Sequence, residues 1–171
     1  MNFSIIAAVD EKNGIGIKGK LPWRLSKDLA YFQDITTDSG KNAVIMGRTT
    51  WESLPKGSRP LKNRLNIVLT RNSDIQLPEG VFKADSIDAA LALAKGKNAE
   101  QVFVIGGAQV YAQAIENPNC TRIYLTQVFG DFKCDTFFPK FDPTKFEKTA
   151  ESELHEEADV KFVFTKYRKA R

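Results

Sequence analysis

The stretch that decides the fold is VFVIGGAQVY, which runs from Val102 to Tyr111. Its first four residues are a continuous apolar run, typical of a strand that is buried on both faces. Two glycines then precede a segment with helical spacing. We therefore predict a strand over Gln101–Ile105 and a helix over Ala108–Ile115. The bare glycines let a ligand approach the backbone, and the helix start offers free N–H groups to an anion.

Outward from this junction, the chain repeats the alternation of apolar strands and helices. The other predicted strands lie at residues 3–9, 43–46, 65–70, 80–83, 122–127, 146–152 and 160–167. Helices are predicted from Ser26 to about Thr36, from about Thr49, and after Asp85. Ser26 and Asp85 are expected to be N-caps, and Thr49 with Glu52 is expected to form a capping box.

This order predicts an α/β fold with three layers. At its centre we expect a mostly parallel, eight-stranded mixed sheet with an antiparallel hairpin at its C-terminal end and about four flanking helices. The chain has 171 residues, 42% of them hydrophobic, which suits one domain spanning residues 1–171.

Composition and charge exclude several classes of protein. No apolar run approaches the roughly 18 residues of a membrane span. The net charge is +4, but the lysines and arginines are scattered, unlike those of a nucleic-acid-binding surface. We expect neither a membrane nor a nucleic acid as partner. No Cys/His cluster indicates a metal site.

The two cysteines, Cys120 and Cys134, fit a reduced protein better than a disulfide framework. The N-terminus lacks the basic region of a secretory signal, so a cytoplasmic location is expected. A monomer is expected because no motif indicates an interface. His155, the only histidine, is predicted to lie on the surface of the C-terminal hairpin, and catalysis should not depend on it.

A second strand–glycine–helix junction, VIMGRTTWE, spans Val44–Glu52. Ligands bind beyond the carboxyl ends of parallel strands, so two such junctions favour a pyrophosphate between two helix starts. The end of another strand carries Thr70 and Arg71, a hydroxyl and a guanidinium that suit a phosphate monoester. Taken alone, Arg71 is more often an ordinary surface residue.

Asp28 falls on the apolar face of the first predicted helix, one turn from Phe32. A carboxylate against apolar side chains is costly unless a polar group meets it, so Asp28 is a candidate ligand-binding acid whose pKa desolvation should raise. The alternative is an acid in the first helical turn that the helix dipole stabilises.

The segment Gly14–Gly19 spells the pattern G-x-G-x-x-G soon after a strand. In the dinucleotide-binding fingerprint the third glycine lies in the first turn of a helix. Here Pro22 follows the third glycine, and the next predicted helix begins only at Ser26. We therefore interpret residues 10–24 as a flexible loop. Loops of this length often act as lids over a site.

Five segments, in this order and at these spacings, resemble dihydrofolate reductases. They are LPW (Leu21–Trp23) with DLAYF (Asp28–Phe32), VIMGRTTWES (Val44–Ser53), VIGGAQVY (Val104–Tyr111), YLT (Tyr124–Thr126) and DTFFP (Asp135–Pro139). The resemblance covers the whole chain and leaves no residues for a fused thymidylate synthase domain. It implies hydride transfer from NADPH to C6 of 7,8-dihydrofolate with protonation at N5, a reaction that supplies one-carbon metabolism and thymidylate synthesis. Antifolate inhibitors would compete at the same site.

The resemblance also implies site residues. The catalytic set is Asp28, which would bind the pterin and favour protonation of N5 through water, with Thr126, Leu21 and Trp23. The substrate set is Ile6, Ala8, Asp28, Leu29, Phe32, Ser53, Leu54, Arg59, Leu61, Arg64, Ile105, Tyr111 and Thr126, with Arg64 on the glutamate α-carboxylate. The cofactor set is Ala8, Ile15, Gly16, Gly19, Leu21, Gly47, Arg48, Thr49, Thr50, Leu69, Thr70, Arg71, Ile105, Gly106, Gly107, Ala108, Gln109, Val110 and Tyr111. In the family the Gly106–Gly107 peptide is typically cis.

The chain departs from the family pattern in a few places. Leu21 replaces a methionine common in bacterial members, and the 55–60 segment is longer than in some of them, which affects the alignment of Arg59. Ala84 and Asp85 stand where some members have a lysine near the adenine. Two alternatives remain: a reductase of the same fold acting on another pterin or pyrimidine, and a catalytically silent folate- or nucleotide-binding protein.

Overall fold

The protein is described by a computed structural model that covers residues 1–171. The strands are β1 (Phe3–Val9), β2 (Gly14–Gly16), β3 (Asn42–Gly47), β4 (Arg64–Leu69), β5 (Val81–Ala84), β6 (Val102–Val104), β7 (Cys120–Val128), β8 (Thr136–Phe137), β9 (Phe146–Glu151), β10 (His155–Glu157) and β11 (Val160–Lys169). The helices are α1 (Ser26–Thr37), α2 (Arg48–Ser53), α3 (Ile87–Gly96) and α4 (Ala108–Glu116), with a short 3-10 turn at Lys56–Ser58. None of the helices has both the length and the apolar character needed to span a membrane.

The main sheet has the order β10-β11-β7-β1-β6-β3-β4-β5. From β7 to β5 every neighbouring pair is parallel, and β11 runs antiparallel to β7. Strand β9 also pairs with β11, along the edge that β10 occupies, so the last position of the sheet is shared by two short strands. The sheet therefore holds nine strands in eight positions, and the predicted mostly parallel sheet with a C-terminal antiparallel hairpin and four helices is confirmed.

Helices cover both faces of the sheet, because its central strands are apolar on both sides. In β3, Ala43 and Ile45 pack in a cluster with α3 and α4, whereas Val44 and Met46 pack in another with Trp51. The second cluster also contacts Phe32 on α1. The successive residues of one strand thus divide between two cores, which gives the predicted three layers.

All three predicted helix caps are wrong. Helix α1 begins at Ser26 itself, after the apolar Leu25, and Ser26 Oγ donates to Glu157 instead of capping its own helix. Helix α2 begins at Arg48 with no side-chain cap, and Glu52 accepts a hydrogen bond from Arg48 Nε. At α3 the cap is Ser86, one residue after Asp85, and its Oγ accepts from Ala89 N.

The predicted loop over residues 10–24 is partly ordered. Strand β2 pairs with β8 in a separate two-stranded sheet, and Ile17 bridges to Lys20. The buried Asp10 carboxylate accepts from the backbone N–H groups of Lys12, Gly14 and Phe132. These bonds attach the base of the loop to the segment before β8.

Candidate active site

A cavity of about 970 Å³ opens beyond the carboxyl ends of the parallel strands. Its walls are the first turns of α1, α2 and α4, the ends of β1, β4 and β7, and the loop over residues 15–21. This is the edge at which open α/β sheets bind ligands, and the volume suits a pair of small molecules or one extended one.

Asp28 lies in the first turn of α1 and lines this cavity, half-buried. Thr126, which is 2% exposed at the end of β7, donates a hydrogen bond from Oγ1 to Asp28 Oδ1 over 2.7 Å. Burial raises the pKa of Asp28, and the hydrogen bond from Thr126 opposes part of that rise. The upward shift predicted from the sequence therefore agrees with the structure, with desolvation as its main cause.

The wall around Asp28 is apolar, with two phenols. Tyr111 is buried and donates from its hydroxyl to Ile6 O over 2.8 Å, so it is fixed across the floor of the cavity. Tyr31 stacks on Phe164 with ring centroids 4.0 Å apart, and burial raises its pKa to about 12. The aliphatic and aromatic lining that surrounds the acid comprises Ile6, Ala8, Leu29, Phe32, Leu54, Leu61 and Ile105.

The two glycine junctions meet on the opposite side of the cavity. Gly47 N donates to Gly106 O over 2.8 Å, and the Gly106–Gly107 peptide is cis. Gly106 has a φ of +128°, which favours glycine, and a Cβ on Gly47 would make a tight contact of 3.1 Å with Val110 Cγ2. Neither α2 nor α4 has a side chain that caps its first N–H groups, so both helix starts can receive an anion.

The other residues of the predicted cofactor set lie beside these junctions. Thr49, Thr50, Leu69, Thr70, Arg71, Ala108 and Gln109 all line the cavity. Arg48 also lines it, with Nε bonded to Glu52 Oε1 over 2.8 Å. Arg71 is exposed and makes no salt bridge, which leaves its guanidinium available to a ligand.

Two predicted arginines lie outside the cavity lining. Arg64 begins β4 and donates to Lys62 O over 2.8 Å and to Thr36 Oγ1 over 3.1 Å, and burial lowers its pKa. Its Nη2 has no hydrogen-bond partner in the protein. Arg59 instead donates to Trp51 O over 3.1 Å and lies 5.5 Å above the Trp51 ring. Both guanidinium groups therefore keep donors that have no partner in the protein: Nη2 of Arg64, and Nε and Nη2 of Arg59.

The loop that carries Ile15, Gly16, Gly19 and Leu21 forms one rim of the cavity. Leu21 lies at this rim with 55% of its surface exposed. Trp23 is not part of the lining: it is 7% exposed, its ring centroid is 5.2 Å from that of Phe132, and its Nε1 is buried without a partner. The loop is thus anchored by the buried Trp23 side chain, whereas its Leu21 side chain is exposed to solvent.

Several lining residues were not predicted. They are Ala7, Lys20, Tyr31, Asp85, Ser86, Gln113 and Thr136. Asp85 and Ser86 follow β5, so applying the strand-end rule to every parallel strand finds them. Thr136 belongs to β8, and only its pairing with Gly16 brings it to the cavity, which no local pattern indicates.

His155 is less exposed than predicted. Its side chain is 13% exposed, and its ring packs against those of Phe162 and Phe164 at centroid distances of 5.5 and 5.2 Å. The aromatic residues of β11 that face β10 account for this burial. His155 does not line the cavity.

Comparison with known proteins gives the family. Residues 2–169 match the family model described as dihydrofolate reductase. The chain belongs to the dihydrofolate reductase family. It is an oxidoreductase, and its reaction is the reduction of dihydrofolate.

Individual relatives agree with this assignment. The chain is 41% identical to the dihydrofolate reductase of Heliothis virescens, over 99% of this chain and 98% of that protein. It is 40% identical to the bifunctional dihydrofolate reductase-thymidylate synthase of Daucus carota, of which it spans 34%. Among solved structures, the dihydrofolate reductase of Schistosoma mansoni superimposes with a TM-score of 0.87 at 36% identity, over 99% of both chains.

Proposed function

We propose that the chain, as one domain over residues 1–171, reduces 7,8-dihydrofolate to 5,6,7,8-tetrahydrofolate with NADPH as the reductant. We further propose that it works as a cytoplasmic monomer in one-carbon metabolism. The two free cysteines, one of them buried, are consistent with a reducing compartment. The observation that carries the proposal is the half-buried Asp28, held by Thr126, opposite two glycine-bounded helix starts in one cavity.

Asp28 is proposed to bind the pterin. A carboxylate with two oxygens can accept hydrogen bonds from the 2-amino group and N3 of the ring, a bidentate pairing that fixes the ring's orientation. Thr126 donates to Oδ1 and so holds the carboxylate in place. In the apolar surroundings of the site, this negative charge favours the N5-protonated pterin, and a water molecule that reaches N5 is the proton donor.

The residues on the other side of the cavity fit NADPH. Uncapped N–H groups at the starts of α2 and α4 suit a pyrophosphate, and the glycines allow close approach. Thr70 and Arg71, with Arg48, suit the 2′-phosphate. When bound, NADPH supplies the hydride that is transferred to C6 of dihydrofolate.

The loop over residues 15–23 is proposed to act as a lid. Leu21 is exposed at the cavity rim, so closure would bury its side chain against the nicotinamide. Exclusion of water by this closure would strengthen the electrostatic contacts inside the site. Trp23 and the β2–β8 pairing supply fixed anchors about which the lid can move.

Arg64 is proposed to bind the α-carboxylate of the substrate's glutamate. Its contact with Thr36 orients the guanidinium toward the end of α1, and Nη2 has no partner in the protein. Antifolates that carry a pterin-like ring are expected to compete at Asp28.

The test is to measure loss of the NADPH absorbance band after dihydrofolate is added to the purified chain. The proposal predicts stoichiometric oxidation, much slower oxidation of NADH, and loss of the reaction in Asp28→Asn at neutral pH. No oxidation of either cofactor with dihydrofolate, by a folded protein, would contradict it.

A further inference from the structure

The helix that carries Asp28 has no cap of its own. The residue before it, Leu25, is buried and apolar and makes no capping hydrogen bond. Ser26, the first helical residue, directs its hydroxyl away from the helix. The first N–H groups of a helix need an acceptor, because the helix itself supplies none.

Glu157 supplies that acceptor from the other end of the chain. Its Oε2 accepts from Ser26 N over 2.8 Å, and its Oε1 accepts from Ser26 Oγ over 2.9 Å and from Lys27 N over 3.3 Å. Glu157 is the last residue of β10, and its carboxylate therefore links the C-terminal hairpin to the first turn of α1. Both oxygens are used, so the position and the direction of the helix start are fixed.

The carboxylate is ionised when it makes these bonds. The hydrogen bond from Ser26 N, with the further bonds from Ser26 Oγ and Lys27 N, holds the pKa of Glu157 below its ordinary value. A negative charge at a helix N-terminus also interacts favourably with the helix dipole. The neighbouring charged groups are Lys27, whose Nζ is 3.4 Å from His155 Nδ1, and Glu153, 3.7 Å from His155 Nε2.

Asp28 follows directly after the two residues that Glu157 holds. Its side chain is fixed by Thr126 at the end of β7. Its backbone belongs to the first turn of α1, whose N-terminal N–H groups donate to Glu157. We propose that Glu157 is a positioning residue for Asp28: it sets the place of the pterin-binding carboxylate by capping α1 from outside the site. This rests on the proposed role of Asp28.

The second contact between the hairpin and α1 is apolar and lies further along the helix. Phe164 of β11 stacks on Tyr31 with an interplanar angle of 19°. This stacking holds the next turn of α1 without Glu157, so loss of the carboxylate should loosen the first turn while the rest of the helix stays packed.

The experiment compares Glu157→Ala with Glu157→Gln and with the matched control Glu156→Ala, whose side chain is exposed and makes no hydrogen bond. Kinetics are measured well below the melting temperature of every variant. Glu157→Ala should raise the KM for dihydrofolate about tenfold, because the acid is no longer preorganised, with the KM for NADPH unchanged. Glu157→Gln keeps one acceptor oxygen and should lie between Glu157→Ala and the unaltered chain.

A role of Glu157 in overall stability alone would lower the melting temperature and leave the pKa of Asp28 unchanged. Loosening the first turn admits water to Asp28, so its pKa in Glu157→Ala should fall toward the ordinary value of a carboxyl group. Unchanged dihydrofolate KM and Asp28 pKa in Glu157→Ala, or equal changes in Glu156→Ala, would overturn the inference. The unaltered chain is assayed first, so absence of dihydrofolate reduction there counts against the proposed function instead.

Discussion

Thr126 Oγ1 and Asp28 Oδ1 lie 2.7 Å apart, although the two residues are 98 positions apart in the chain. The bond joins the end of a sheet strand to the first turn of a helix. Burial raises the pKa of Asp28, and this hydrogen bond acts in the opposite direction. The hydrogen bond therefore makes Asp28 easier to ionise and fixes the orientation of its carboxylate.

Replacing Thr126 by valine should raise the pKa of Asp28 further. Valine removes the donor that stabilises the ionised carboxylate and leaves the desolvation unopposed. The pKa is measured by NMR titration of the labelled carboxyl carbon. The KM for dihydrofolate should rise most at acid pH, where more of the acid is protonated. Thr121→Val, on the same strand and away from Asp28, is the control; an Asp28 pKa that moves equally in both variants would refute the proposed role of the bond.

The double variant Arg48→Ala, Arg71→Ala should discriminate between the two nicotinamide cofactors. Loss of two cations from the proposed 2′-phosphate site should raise the KM for NADPH by about tenfold or more and leave that for NADH within about twofold. Steady-state kinetics with each cofactor provide the measurement. Arg122→Ala, an exposed arginine outside the cavity, serves as control. Equal increases for both cofactors would mean that these arginines do not bind the 2′-phosphate.

Arg64→Ala should weaken folates that carry a glutamate and spare bare pterins. A bidentate pair between arginine and a carboxylate is worth roughly 1.5–3 kcal/mol when partly desolvated, which predicts an increase in Kd of about ten- to a hundredfold. Fluorescence titration with both ligand types measures it. Arg122→Ala, an exposed arginine outside the cavity, is the control. Equal loss of affinity for the two ligand types in Arg64→Ala would exclude a role in binding the glutamate.

Gly106→Ala should impair both folding and cofactor binding. The φ of +128° at Gly106 is unfavourable for any side chain, and the new Cβ would lie 3.3 Å from the Tyr111 hydroxyl. Such strain costs about 1–3 kcal/mol. We expect a lower melting temperature and a higher Kd for NADPH. Gly96→Ala, where a Cβ meets nothing within 4 Å, should cause neither change; similar behaviour of the two variants would show that the junction tolerates a side chain.

The strands and the site were predictable from the sequence to different degrees. A strand in a sheet that helices cover on both faces needs apolar side chains at successive positions. An apolar run such as residues 102–105 therefore identifies a buried strand. Strand ends then identify most of the cavity lining, since all parallel strands finish at one edge. The local sequence pattern is therefore sufficient to predict the architecture and the position of the site.

Contacts between distant segments were not predictable. The cap of α1 is Glu157, which is 131 residues away from Ser26, so a search for a local N-cap selects the wrong residue. The same limit applies to Arg59, whose partner is the backbone of Trp51, and to Thr136, which reaches the cavity only through the β2–β8 pairing. In each case the partner is chosen by tertiary packing.

The most direct test of the account is the pH dependence of dihydrofolate reduction by Asp28→Asn, compared with the unaltered chain and with Asp34→Asn, an exposed acid on the same helix. Without the carboxylate, no negative charge in the site stabilises the N5-protonated pterin, so protonation of N5 requires a higher proton concentration. The rate in Asp28→Asn should therefore fall by about a hundredfold or more at neutral pH and recover toward acid pH, whereas Asp34→Asn follows the unaltered chain. A pH–rate profile of Asp28→Asn that matches that of the unaltered chain would contradict the central role assigned to Asp28.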